Sequence, residues 1–171
     1  MTEKVIEETA YDVRYSSIAD EPFLREWVLK PEMRKWYPPS TDSDIEGFVR
    51  NWIGFSRFKC SLTAVYNSEP VGVATIFLMP YVKVAHLCML YIAVDPKLQR
   101  RGIGGSLLKN ILNLAKTKFT RLESMHIEVF EGSPLVGLLK QNGFKKIITQ
   151  NHYVKLDDGF KAREIFEIQW R

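Results

Sequence analysis

One stretch of the chain, Gln99-Arg100-Arg101-Gly102-Ile103-Gly104-Gly105-Ser106, holds the residue types that grip an anion. Glycine has no Cβ, so its backbone can come close to a bulky phosphate. The two arginines add charge-assisted donors. Ile103, Leu107, Leu108, Ile111, Leu112 and Ala115 follow at steps of three and four residues, which predicts a helix that starts at the glycines. A helix start exposes unpaired N–H groups and the positive end of the helix dipole. The chemistry expected there is phosphate binding. Before the glycines, the apolar run Leu87 to Val94 predicts a strand, and Asp95-Pro96 breaks it.

Three phosphate motifs compete for this stretch. No Gly-x-x-x-x-Gly-Lys-Ser/Thr string exists in the chain, so a P-loop is excluded. The dinucleotide fingerprint begins at Gly102-Ile103-Gly104 but has Leu107 where its last glycine belongs. The third motif, Gln/Arg-x-x-Gly-x-Gly/Ala, is matched at every fixed position by Gln99 to Gly104. Tyr91-Ile92-Ala93-Val94-Asp95-Pro96 stands before it, Ser106-Leu107-Leu108 behind it, and Gln141-Asn142-Gly143-Phe144 further on. In these residues the chain resembles the GNAT superfamily of acetyl-CoA-dependent N-acetyltransferases, whose pyrophosphate loop has this form. A plain glycine-rich strand-to-helix turn is the bland alternative.

The resemblance implies an α/β (α+β) fold. Its core is a mixed, mostly antiparallel twisted sheet of six to seven strands with about four flanking helices, and residues 1–171 make a single domain. It also implies acetyl-CoA as cosubstrate and direct attack by a primary amine in a ternary complex. Gln99, Arg100, Arg101, Gly102, Ile103, Gly104, Gly105 and Ser106 would bind the pyrophosphate. The backbone of Ile92, Ala93 and Val94 would hold the pantetheine arm as an added strand and stabilise the carbonyl oxygen, with a bulge splaying this strand from its neighbour. A base must take the amine proton. His86, Tyr91, His126 and Glu128 are the candidates, with His126 and Glu128 first because they share one strand face. The strand position that often carries a catalytic Glu in the family is Cys88 here. The family's tyrosine acid maps onto Leu139, which should point at the sulfur, and its usual Asn maps onto Gly132 beside Ser133. Ser133, Tyr153 or water could substitute as the acid, and Ser133 also counts among the cofactor-binding residues.

The elements that position these groups are legible from pattern. Tyr11 to Ser16 predicts a strand. Asp20-Glu21-Pro22 predicts a helix start behind a capping Asp, with Phe23, Leu24, Trp27 and Val28 as its apolar stripe. Lys30-Pro31 ends that helix. Ser43-Asp44-Ile45-Glu46 fits a capping box ahead of a second helix. Trp27, Trp36, Tyr37, Phe48 and Trp52 read mainly as core, with a pocket wall as the alternative. Helices 20–30 and 43–55 correspond to the family's acceptor region. Strands are predicted at Cys60–Tyr66, Val71–Met79, Leu122–Phe130, Phe144 onward toward Leu156, and Ile165–Trp170. A short helix follows Gly132-Ser133-Pro134 and stops at Gly143, and Asp157-Asp158-Gly159 makes a hairpin turn. The last strand, expected at an exposed edge, suggests a homodimer.

Composition bounds the rest. The chain of 171 residues is 46% apolar, enough for one domain with a sizeable core. No apolar run reaches the ~18 residues of a membrane helix. The segment Met1 to Glu8 is acidic and lacks the apolar core of a signal peptide. Cys60 and Cys88 make no disulfide framework, which points to a reducing, cytoplasmic setting. His86, His126 and His152 form no metal spacing, and no metal is expected. A net charge of +4 without a basic stripe argues against nucleic acid. The expected partners are therefore acetyl-CoA and an amine, carried by a small molecule or by a peptide or protein. A non-catalytic acyl-CoA-binding or interaction domain of the same fold is the alternative.

Overall fold

The computed structural model describes residues 11–171. The segment 1–10, expected to be flexible or an edge piece, lies outside the described residues. The strands are β1 (Asp12–Tyr15), β2 (Ser61–Tyr66), β3 (Glu69–Leu78), β4 (Leu87–Val94), β5 (Ser124–Phe130), β6 (Lys145–Leu156) and β7 (Gly159–Gln169). They form one sheet in the order β1-β2-β3-β4-β5-β7-β6. Every neighbouring pair is antiparallel except β4 and β5. The helices are α1 (Glu21–Leu29), α2 (Pro31–Arg34), α3 (Asp42–Gly54), α4 (Ile103–Lys118) and α5 (Leu135–Gln141).

Apolar residues cover both faces of the middle of the sheet. On one face Ile103, Leu107, Leu108 and Ile111 of α4 pack with Leu62, Ala74, Ile76, Leu90 and Ile92. On the other, Leu24, Trp27 and Val28 of α1 and Ile45, Val49 and Trp52 of α3 pack with Val73, Phe77 and Ala93. This explains why β3 is almost continuously buried, not alternating. Gly72 makes the approach of α4 possible: a Cβ there would lie 2.8 Å from Leu107 Cδ1 and 3.2 Å from the Ala93 carbonyl oxygen. The contact seats the start of α4 over the sheet.

Three local expectations are corrected. The box that caps α3 is Thr41 with Asp44, not one built on Ser43. The Thr41 hydroxyl accepts from the Asp44 amide at 3.1 Å, and the Asp44 carboxylate accepts from the Thr41 amide at 3.2 Å. Asp20 does not cap α1. Its buried carboxylate takes the Ser17 amide, the Thr63 hydroxyl and the Arg14 guanidinium, tying the turn before α1 to β1 and β2. The final strand is not an edge, because β7 lies between β5 and β6. The edge on that side is β6, whose pairing with β7 is interrupted by two register shifts and which carries Lys145, Lys146 and Lys155. Bulges and lysines are the usual means of blunting an edge. With both sides of β7 paired, the terminal strand is not available as an edge to join two copies of the chain.

Candidate active site

The site is where the sheet opens. β4 and β5 pair over three positions, Leu87 with Ser124 to Met89 with His126, and then part. Each strand instead follows its other neighbour. β4 keeps register with β3 over seven pairs, up to Val94 with Gly72, and the Asp95 amide extends that ladder onto the Val71 carbonyl at 2.9 Å. β5 pairs with β7 over seven positions, up to Phe130 with Arg163. The opening thus comes from lost β4–β5 pairing. The bulge expected in β4 is not there, since its register against β3 is unbroken.

In an antiparallel ladder a residue's N–H and C=O point to the same side, and the side alternates along the strand. Asp95 faces β3, so Tyr91 and Ala93 do too. Ile92 and Val94 turn their backbone groups into the opening. The carbonyls there are met by side chains of this chain. The Tyr37 hydroxyl donates to Ile92 O at 3.0 Å, and Gln99 Nε2 lies 3.4 Å from Val94 O. The N–H groups of Ile92 and Val94 are left as donors facing the cavity.

The cavity encloses about 1030 Å³, lined on one wall by Tyr91 to Val94 and on the other by Ile127 to Phe130. That is at the upper end for a ligand pocket and leaves room for a large cosubstrate beside a second molecule. Gln99 to Ser106 close one end of it. Two left-handed residues, Arg100 at φ +63° and Gly102 at φ +84°, wind this loop into α4. The first bond inside α4 runs from the Ser106 amide to the Gly102 carbonyl at 3.0 Å. The N–H groups of Ile103, Gly104 and Gly105 are therefore free at the helix start. The Ile103 side chain is core, so only its backbone serves the site. Arg100 and Arg101 are exposed beside it. A Cβ on Gly104 would touch Leu138 Cδ2 at 3.4 Å and Val94 Cγ2 at 3.8 Å, which is ordinary contact. Packing therefore does not require glycine at 104. Free amides, two cations and open space over Gly102 fit a pyrophosphate.

The other sequence-predicted residues divide. Ser133 lines the cavity and its Oγ accepts the Leu135 amide at 3.3 Å, capping the start of α5. Glu128 lines the cavity but is ion-paired to Arg163 Nη1 at 2.7 Å. Arg163 also donates to Gln150 at 2.6 Å and lies 4.1 Å from the Tyr153 ring centre. His126 sits lower on β5, at the level where the strands still pair, and is not part of the lining. Burial holds its pKa below the ordinary histidine range against the pull of Glu128 and Glu167. His86 offers its backbone carbonyl to the Glu123 amide at 2.8 Å. Cys88 is buried, and burial raises its thiol to about 12. Leu139 is 1% exposed and faces the core, while its neighbour Leu138 lines the cavity. The expectation that Leu139 points at the sulfur is corrected by one helical step.

The aromatic residues also divide. Trp27 and Trp52 are core, and Trp52 donates to Thr75 at 2.8 Å. Trp36 and Tyr37 line the cavity. They belong to a strap, residues 33–38, that runs from the end of α2 toward α3. It is fastened by Tyr37 to Ile92 O and by Met33 Sδ to Gln99 Nε2 at 3.1 Å. Lys35 and Lys161 lie over the Trp36 ring at 4.9 and 5.2 Å. Periodicity marked these aromatic positions as apolar, and only the crossing of the strap separates wall from core.

Among the described residues no helix is long and apolar enough to cross a membrane, and no group of three or more His, Cys, Asp or Glu could hold a metal ion.

Comparison with known proteins agrees with this geometry. Residues 22–144 match the family model described as the acetyltransferase (GNAT) family. No curated protein sequence matches the chain. Solved structures share its fold. A GNAT-family acetyltransferase from Streptococcus pneumoniae superposes with a TM-score of 0.74 at 17% identity, covering 94% of this chain and 99% of that one. A ribosomal-protein-alanine N-acetyltransferase from Brucella melitensis gives 0.73 at 17% identity, covering 93% and 99%. The yncA protein of Salmonella typhimurium, solved with its cofactor acetyl-CoA, gives 0.75 at 14% identity, covering 94% of each chain. With the family model spanning most of its length and the opened sheet ending in a glycine-rich helix start, the chain belongs to the GNAT acetyltransferase family and is an acyltransferase.

Proposed function

We propose that this chain, as one domain, transfers an acetyl group from acetyl-CoA to a primary amine by direct attack. The observation that carries the reading is the cavity where β4 and β5 part, closed by free amides at the start of α4. Acetyl-CoA is the cosubstrate, and it supplies an activated thioester. Gly102 to Gly105 would hold its pyrophosphate with backbone N–H groups, Ser106 with its hydroxyl, and Arg100 and Arg101 would add charge. Ile92 and Val94 turn donors toward the oxygen that becomes negative in the transition state. Ser133 stands at the opposite wall.

The acceptor amine enters from the side of the strap and of β5. Of the two carboxylates that line the cavity, Glu32 and Glu128, the one on β5 is Glu128. Its pairing with Arg163 makes it a group that orients the amine, with water carrying the proton. The family includes proteins named for ribosomal-protein alanine acetylation, so a peptide amine stands beside small amines as acceptor. The two cysteines are free and buried, which suits a reducing cytoplasm.

The test is thiol release from acetyl-CoA with a panel of polyamines, amino acids, aminoglycosides and peptides. The expected outcome is amine-dependent release with one class, together with a rise in melting temperature on adding acetyl-CoA. A chain that shows neither at millimolar acetyl-CoA would refute the reading.

A further inference from the structure

We propose that Tyr37 is the hydroxyl donor at the reacting centre, hydrogen-bonding the sulfur as it leaves in place of a donor from α5. The assignment rests on the acetyl-transfer reading above. It starts from a vacancy in the chemistry. A departing sulfur takes on negative charge and is helped by a nearby donor. On α5 the candidate side chain is Leu139, which is apolar and faces the core.

The structure brings a different hydroxyl to the opened edge of β4. Tyr37 Oη donates to Ile92 O at 3.0 Å, so it stands beside the Ile92 backbone that turns into the cavity. A thioester oxygen placed on the Ile92 N–H has its sulfur one bond beyond the carbonyl carbon, and this hydroxyl stands at the same residue. The ring is fixed by Phe48 and Trp52, with centroids 5.8 and 5.9 Å away. The O–H bond can still turn about the C–O axis toward a better acceptor than a neutral carbonyl. Tyr153 is worse placed, since it is half-exposed on β6, stacked on Arg163 and outside the lining. Ser133 lines the cavity and is the rival.

The step balances without consuming the phenol. The amine nitrogen forms the C–N bond, the C–S electron pair passes to sulfur, and the amine proton leaves to water. Tyr37 stabilises the sulfur with a hydrogen bond, and the thiol later takes its proton from water. Burial, with Tyr91 alongside, holds the Tyr37 hydroxyl well above the usual tyrosine range, so it remains a donor at any working pH. The other ionisable groups of the lining that bear on a pH measurement are Tyr11, Tyr91, Glu128 with its Arg163 partner, Glu32, Arg100, Arg101 and Lys109.

The experiment titrates the thiol of CoA bound to the full chain by its thiolate absorbance, in wild type and in Tyr37→Phe, and measures acetyl-CoA Kd and amine turnover in both. Free thiol ionises near ~8.5. Wild-type-bound thiol should ionise at lower pH. In Tyr37→Phe the midpoint should move back up by about one unit, and kcat should fall roughly 10–100-fold, the weight of a hydrogen bond to a charged group. Acetyl-CoA Kd should hold within about threefold, because the pyrophosphate contacts are untouched. The wild-type titration needs no variant, so a bound thiol that ionises no lower than free CoA overturns the proposal. So does unchanged turnover in Tyr37→Phe, or an effect that follows Ser133→Ala instead. A variant that loses acetyl-CoA binding altogether would make Tyr37 a fastener of the strap and also overturn it. If wild type binds and turns over acetyl-CoA while Tyr37→Phe is neutral, the function stands and this assignment alone fails. A wild type that binds no CoA removes both.

Discussion

The two walls of the cavity are built from different materials. The β4–α4 wall acts through backbone. The groups it offers to the cavity are the amides of Ile92, Val94, Ile103, Gly104 and Gly105, placed by an unbroken ladder to β3 and by the close seat of α4 on Gly72. The β5–β7 wall and the strap across it act through side chains: Glu128 with Arg163, Arg163 with Gln150 and Tyr153, and Tyr37 on the Ile92 carbonyl. Backbone donors at a helix start suit any phosphate of the right size, whereas side-chain networks can be re-cut for each amine. On the proposed reading, the constant and the variable substrate would each meet the kind of wall that suits them.

The sharpest way to break this comparison is to fill the backbone wall. Gly104→Val should cut acetyl-CoA affinity by at least about 100-fold, since each donor lost to a charged ligand is worth roughly tenfold or more. The melting temperature should fall only modestly, because the new side chain meets just side-chain tips, Leu138 Cδ2 at 3.4 Å and Val94 Cγ2 at 3.8 Å from its Cβ, which the added methyls must push aside. Calorimetry and a thermal melt together check it, and equal affinity in both proteins would place the pyrophosphate elsewhere.

The converse cut is Arg163→Met. It leaves the half-buried Glu128 without its partner and should cost about 1–3 kcal/mol of stability. Amine kcat/KM should fall while acetyl-CoA Kd holds. A matching loss of acetyl-CoA affinity would mean that the walls are not separable.

Gly72→Ala tests the seat of α4. The added Cβ must push Leu107 or the Ala93 carbonyl, an overpacking cost of about 1–3 kcal/mol. Chemical denaturation reads the stability. Acetyl-CoA affinity should drop with it, by less than for Gly104→Val, as the helix start shifts.

The smallest effect is expected at His126. Its folded pKa lies below the unfolded value of ~6.5, so the folded state binds fewer protons than the unfolded chain just below that pH. The stability it contributes is present above ~6.5 and is lost as pH falls through the lower folded pKa. His126→Gln should flatten stability against pH in that window and change kcat less than about threefold. A large loss of kcat would restore His126 to the chemistry.

The same contrast explains what could be read in the sequence. The glycine-rich turn from β4 into α4 was legible because glycines, a strand before them and a helical period after them are local facts. Element order was legible for the same reason. The role of Leu139 was not, because one step around a short helix decides whether a residue meets core or cavity, and α5 is apolar at both Leu138 and Leu139. Glu128 was legible as a candidate, but its commitment to Arg163 depends on a pairing of β5 with β7 across 35 residues. Tyr37 looked like one of several aromatics; only the crossing of the strap sets its hydroxyl against β4. The place of β7 inside the sheet was also hidden, since a terminal strand carries no mark of which neighbour it will take.

The central claim is that backbone amides of one wall hold the cosubstrate. Amide-resolved ¹⁵N–¹H spectra recorded as acetyl-CoA is added to the full chain test it most directly. The account predicts that the largest shifts fall on Ile92, Val94 and Ile103 to Ser106, with smaller ones on β5. Saturable binding that leaves those amides unmoved, with the shifts concentrated elsewhere in the fold, would contradict it.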